Sequence, residues 1–77
     1  MAIKILLFGQ LKQLTGSSEL ELQDIADTDQ LIKEMQSRFP EIRDLNYMIA
    51  VDKTIIHGNT SIHENQELAL LPPYSGG

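Results

Sequence analysis

Ile3-Lys4-Ile5-Leu6-Leu7-Phe8 near one end of the chain and Glu67-Leu68-Ala69-Leu70-Leu71 near the other decide the fold. Each is a short, nearly continuous apolar run that stops abruptly, at Gly9 in the first case and at Pro72 in the second. Runs of this kind read as strands with little exposed face. Because both are strongly apolar, they are expected side by side in the middle of one sheet.

Between them the pattern changes several times. Leu11 and Leu14 fall three apart in Gln10–Leu14, which suits a single helical turn, and Thr15-Gly16-Ser17-Ser18 is turn chemistry. Glu19-Leu20-Glu21-Leu22-Gln23 alternates polar and apolar, the mark of a strand with one wet face. Thr28 then reads as the N-cap of a helix with Asp29 in its first turn and Arg38 in its last, both favourable to the helix dipole. Leu31, Ile32, Met35 and Phe39 form its apolar stripe, and Pro40 bars its continuation. Glu41–Asn46 reads as a connection, Tyr47–Val51 as a strand, Asp52-Lys53 as a tight turn, Thr54–Ile56 as the returning strand and Gly58-Asn59 as a second turn. The order strand, strand, helix, strand, short strand or strands, strand describes an α+β fold of the ubiquitin-like β-grasp kind. A mixed sheet packs on one main helix over residues 1–71, and an extended tail occupies 72–77.

Seventy-seven residues make one domain with an adequate core and no room for an enclosed ligand pocket of the usual size. The absence of cysteine excludes disulfides, thiolate metal sites and a cysteine nucleophile. No signal peptide and no membrane span are read from the sequence, so the expected location is cytoplasmic. Six basic residues against eleven acidic ones give a net charge of −5, the wrong sign for a nucleic-acid binder and a better match to a partner with a basic docking surface. His57 and His63 have no nearby ligand cluster, no phosphate-binding glycine loop is present, and no serine sits in a nucleophile context. No metal and no cofactor bound by the chain itself are expected.

That leaves Pro72-Pro73-Tyr74-Ser75-Gly76-Gly77. The prolines cannot extend a sheet ladder and stiffen the base of the arm. The glycines lack Cβ atoms, so the tip fits a channel too narrow for other residues. A terminal carboxylate is anionic at neutral pH and a poor electrophile. To form an acyl bond or acquire sulfur it must first be activated, most simply as an acyl-adenylate. With no nucleotide machinery in the chain, the activating enzyme is a separate protein. The same ending also suits a frayed tail or a cloning scar.

Ile3–Gly16, Met48-Ile49-Ala50-Val51 and above all Ala69–Gly77 with its Pro-Pro-x-Ser-Gly-Gly ending resemble the small, sulfur-carrying subunit of molybdopterin synthase. The likeness runs over essentially the whole chain. It implies a ubiquitin-like β-grasp fold and adenylation of the Gly77 carboxylate with ATP by a ubiquitin-activating-like adenylyltransferase. Conversion to a thiocarboxylate follows, and sulfur is delivered to a pyranopterin precursor inside the large catalytic subunit to build the molybdopterin dithiolene. It further implies a heterotetramer of two small and two large subunits. Gly77 is then the reactive end; Pro73, Tyr74, Ser75 and Gly76 lie in the partner's channel; Leu70, Leu71 and Pro72 dock beside it. Leu70 and Leu71 stand where relatives often carry aromatic residues, and Asp52 where they often carry Asn. A sulfur carrier for thiamine thiazole synthesis shares the fold and the two glycines but usually lacks the Pro-Pro step. A ubiquitin-like modifier joined to lysines commonly has basic residues before its glycines, and this tail has none. A plain interaction domain with an idle tail is the remaining alternative.

Overall fold

β5 (Glu67–Leu71) lies at the centre of a five-stranded sheet, parallel to β1 (Ala2–Leu7) on one side and antiparallel to β3 (Met48–Val51) on the other. The structure is a computed structural model that describes residues 2–73. β2 (Glu19–Gln23) adds antiparallel to β1 and β4 (Thr54–Ile56) antiparallel to β3, giving the order β2-β1-β5-β3-β4. The two apolar runs are neighbours, as their composition predicts, with Ile5 opposite Leu68 and Leu7 opposite Leu70.

One face of this sheet makes the core. Ile3, Ile5, Leu7, Leu22, Leu68 and Leu70 are buried there with Leu31 and Met35 of α2 (Thr28–Arg38). Each such side chain contributes about 1.5–3 kcal/mol relative to staying in water. Ile32 and Phe39 complete the helical stripe only half-buried, at its margin. Leu11 of α1 (Gln10–Thr15), Ile25, Ile42 and Ile62 close the core from the connections. α1 ends on Gly16, whose φ of 75° is left-handed and whose N–H donates to the Lys12 carbonyl at 2.9 Å.

The start of α2 differs from the sequence reading. Asp27, not Thr28, is the N-cap, and its carboxylate accepts from Gln30 N at 2.9 Å. The Gln30 side chain reaches back to Ala26 N at 2.9 Å, in the manner of a capping box. Thr28 is instead the buried first helical residue. Its N–H donates to the Thr60 carbonyl, and Asp29 N donates to Asn59 Oδ1, each at 2.9 Å. With Leu31 N on the Asp27 carbonyl, all four leading N–H groups of the helix have acceptors.

Two further boundaries move. Pro40–Asp44, read as connection from Glu41 on, is a 3₁₀ helix with Pro40 in its first turn, where the missing N–H costs nothing. β3 begins at Met48 rather than Tyr47. Tyr47 packs half-buried against the core, and that burial pushes its phenol pKa above the ordinary tyrosine value. Asp52 and Lys53 both take positive φ, 50° and 68°, as a two-residue hairpin turn between right-twisted strands requires. The Asp52 carboxylate accepts from Glu67 N at 2.9 Å and Gln66 Nε2 at 3.2 Å, tying this turn to the start of β5.

Candidate functional site

Successive side chains of β5 point to opposite faces. Leu68 and Leu70 enter the core, so Glu67, Ala69 and Leu71 stand on the other face, which no helix among the described residues covers. Leu6, Phe8, Ala50, Ile55, Ala69 and Leu71 surround an open depression of about 320 Å³ there. Lys53 and Glu67 close its charged end, where Asp52 N donates to the Glu67 carbonyl at 2.8 Å. The apolar end lies at Leu71 and Phe8, where Phe8 N donates to the Leu70 carbonyl at 3.3 Å and continues the β1–β5 pairing. Phe8 is 44% exposed, the one exposed large apolar side chain among the described residues.

The chain leaves the sheet at that apolar end. Leu71 closes β5, and Pro72 settles against Gly9. A Cβ on Gly9 would stand 2.8 Å from Pro72 Cγ, and the backbone there has φ 60° and ψ −133°, so glycine serves both the turn and the close approach. Below the prolines lies a cleft of about 230 Å³ lined by Phe8, Leu11, Asp44, Leu45, Pro72 and Pro73. Phe8 therefore borders both the sheet depression and the base of the tail.

Of the residues singled out from the sequence, Leu71 and Pro72 are half-buried beside this face and Pro73 is exposed. Leu70 is corrected: at 1% exposure it is a core residue, and its side chain cannot dock a partner from the folded domain. Tyr74, Ser75, Gly76 and Gly77 lie outside the described residues. Leu6, Phe8, Ala50, Ile55 and Ala69 were not singled out. The signal was present: Leu6 and Phe8 sit two apart in a run whose alternate members, Ile3, Ile5 and Leu7, already fill the inward face. No helix among the described residues is long and apolar enough to cross a membrane, and none of their His, Asp and Glu side chains gather into a group of three or more able to hold a metal.

Comparison with known proteins fits this geometry. The chain is 29% identical over 79 residues to a molybdopterin synthase sulfur carrier subunit of Arabidopsis thaliana, covering 97% of this chain and 82% of the relative. Its fold matches the solution structure of small archaeal modifier protein 1 from Methanosarcina acetivorans with a TM-score of 0.81 at 20% identity, over 99% of this chain and 96% of that one. It also matches a chain in the complex of subunits 1 and 2 of molybdopterin-converting factor from Helicobacter pylori, with a TM-score of 0.74 at 22% identity and full coverage of both chains. At such identities the structural likenesses establish the ubiquitin-like β-grasp fold. The profile of the ThiS family matches residues 5–77, all but the first four positions, and the chain belongs to the ThiS family.

Proposed function

We propose that this chain is the sulfur carrier subunit of a molybdopterin synthase. The observation that carries the reading is the continuity between the uncovered apolar sheet face and the strand that runs out through Leu71 and Pro72 toward Gly76-Gly77. A protein that grips the end of the tail meets that face at the same time. The 29% identical relative is a sulfur carrier of this kind, and the Helicobacter pylori neighbour was solved as a complex of two subunits.

In this reading the Gly77 carboxylate attacks ATP on a separate ubiquitin-activating-like adenylyltransferase, releasing pyrophosphate and leaving an acyl-adenylate. A sulfur nucleophile then displaces AMP and leaves a thiocarboxylate. In the large catalytic subunit that sulfur bonds to a carbon of the pyranopterin precursor as the carbon–oxygen bond there breaks, the oxygen leaving with the electron pair. Water cleaves the acyl–sulfur bond and restores the carboxylate. Two sulfurs complete one dithiolene, so two charged tails are consumed, in keeping with a heterotetramer. The chain supplies the acyl end and the docking face, Leu71 and Pro72 with their neighbours, while the partners supply the catalytic groups. Pro73, Tyr74, Ser75 and Gly76 occupy the channel, and the complex works in the cytoplasm.

Reconstitution with the large subunit and precursor tests this. Product should form with the full chain, stop on deletion of Gly76 and Gly77, and fall with Gly77→Ala while the fold is kept, since the tip lies beyond the core strands. Product formation that survives the deletion sinks the carrier reading. Failure here combined with thiazole formation would assign the chain to the thiamine branch instead. Lysine-linked adducts in extracts would assign it as a modifier instead.

A further inference from the structure

We infer that the outer face is a socket for one protruding apolar side chain of the partner that holds the tail, and that Ala50 and Ala69 set its depth; the inference rests on the carrier reading above. A single row crosses four strands of the sheet. Leu6 stands opposite Ala69, Ala69 opposite Ala50, and Ala50 opposite Ile55. The sequence of sizes is large, small, small, large. Two alanines at the centre make a floor, and Leu6 and Ile55 make the walls. Phe8 and Leu71 raise the rim at the tail end, and Lys53 and Glu67 close the other. Ala50 and Ala69 are only 5% and 9% exposed although no helix among the described residues covers them, because these walls shade them.

The chemistry of the occupant follows from the lining. Away from Lys53 and Glu67 the floor offers only methyl groups and the walls only hydrocarbon, so a polar group entering there would lose water without gaining a partner. A leucine, methionine or phenylalanine side chain loses nothing of the kind, and a central pocket walled off from water is where interface energy concentrates. The volume, about 320 Å³, admits one such side chain with its neighbours. The tail identifies who brings it. Tyr74–Gly77 are four residues, so the terminus lies at most about 14 Å of extended chain from Pro73. A protein enclosing that terminus is held against the rim formed by Leu71 and Phe8.

The test is calorimetric titration of the full chain with the large synthase subunit, together with sedimentation of the chain alone. Ala69→Leu and Ala50→Leu fill the socket from its solvent side, and Ile55→Ala removes a wall at a half-buried site. Each variant is first shown to keep the unfolding midpoint and circular dichroism of the parent. The expected result is a tenfold or greater loss of affinity in either filled variant and a several-fold loss with Ile55→Ala. If the parent binds and the folded variants bind equally well, the socket is wrong and the carrier reading stands. If the parent does not bind the large subunit, the carrier reading fails and the socket falls with it. If the chain alone is a dimer that Ala69→Leu dissolves, the occupant is a second copy and the inference is overturned.

Discussion

Replacing Thr28 by Val should cost about 1–2 kcal/mol, although the two side chains have nearly the same shape. Thr28 is 1% exposed, and its hydroxyl accepts from Thr60 N at 2.9 Å and faces Asn59 Oδ1 at 3.4 Å. A methyl group in its place leaves the Thr60 N–H without its acceptor. A buried donor stripped in this way costs about 1–3 kcal/mol, and half-burial of Thr60 trims the upper end because water reaches it in part. Asn59 Oδ1 keeps its shorter bond from Asp29 N and adds little to the loss. Thr28→Ser is the control: it keeps the oxygen and gives up one buried methyl, about 0.8 kcal/mol. A 77-residue domain holds roughly 4–12 kcal/mol in all, so the Val variant forfeits a substantial share. With a urea slope near 1 kcal/mol per molar, the midpoint should fall by about 1–2 M. Far-ultraviolet circular dichroism during a urea titration reads it directly. A Val variant with the parental midpoint would refute the idea that the distant 59–60 segment holds the start of α2 through this hydroxyl.

Asp52→Ala should lower stability by about 1–2 kcal/mol by removing the acceptor for Glu67 N and Gln66 Nε2, and Asp52→Asn should recover most of it because Oδ1 survives; equal losses in chemical denaturation would contradict the assigned bonds. The Tyr47 phenol pKa is raised by burial, so the folded state holds its proton more tightly than the unfolded chain. Stability from this source is complete below the unfolded value of about 10 and is lost as pH rises through the higher folded value. Tyr47→Phe should therefore flatten the decline of the thermal midpoint above about pH 10, and an unchanged alkaline slope would exclude Tyr47 as its source.

How far the sequence could be read depended on whether each signal was local. Ile3–Phe8 and Glu67–Leu71 declare strands by composition, and Leu31 with Met35 declares a buried helix face by spacing; all three form, the first strand displaced by one residue to Ala2–Leu7. The Asp52-Lys53 turn was legible because one residue pair carries it. Asp27 and Thr28 are both good caps, and choosing between them needs the loop that supplies Asn59 and Thr60, some thirty residues away. Leu70 was misplaced because Leu68-Ala69-Leu70-Leu71 is apolar on both faces, which hides the alternation that tells inside from outside. The socket was invisible for a related reason. Ala50 and Ala69 become neighbours only through the β3–β5 register, and alanine in a strand looks like weak core until its face is known.

The strand at the middle of the sheet is also the last of the five described strands in chain order. Without Glu67–Leu71 the sheet is two separate ribbons, β1 with β2 and β3 with β4, and no other strand pairing among the described residues joins them. Contacts that bridge so much of the chain slow folding, and here both halves of the sheet wait on the pairings of residues 67–71. Leu6 and Ile55 come to flank one surface only after that step. A chain lacking β5 therefore has no continuous outer face on which anything could settle.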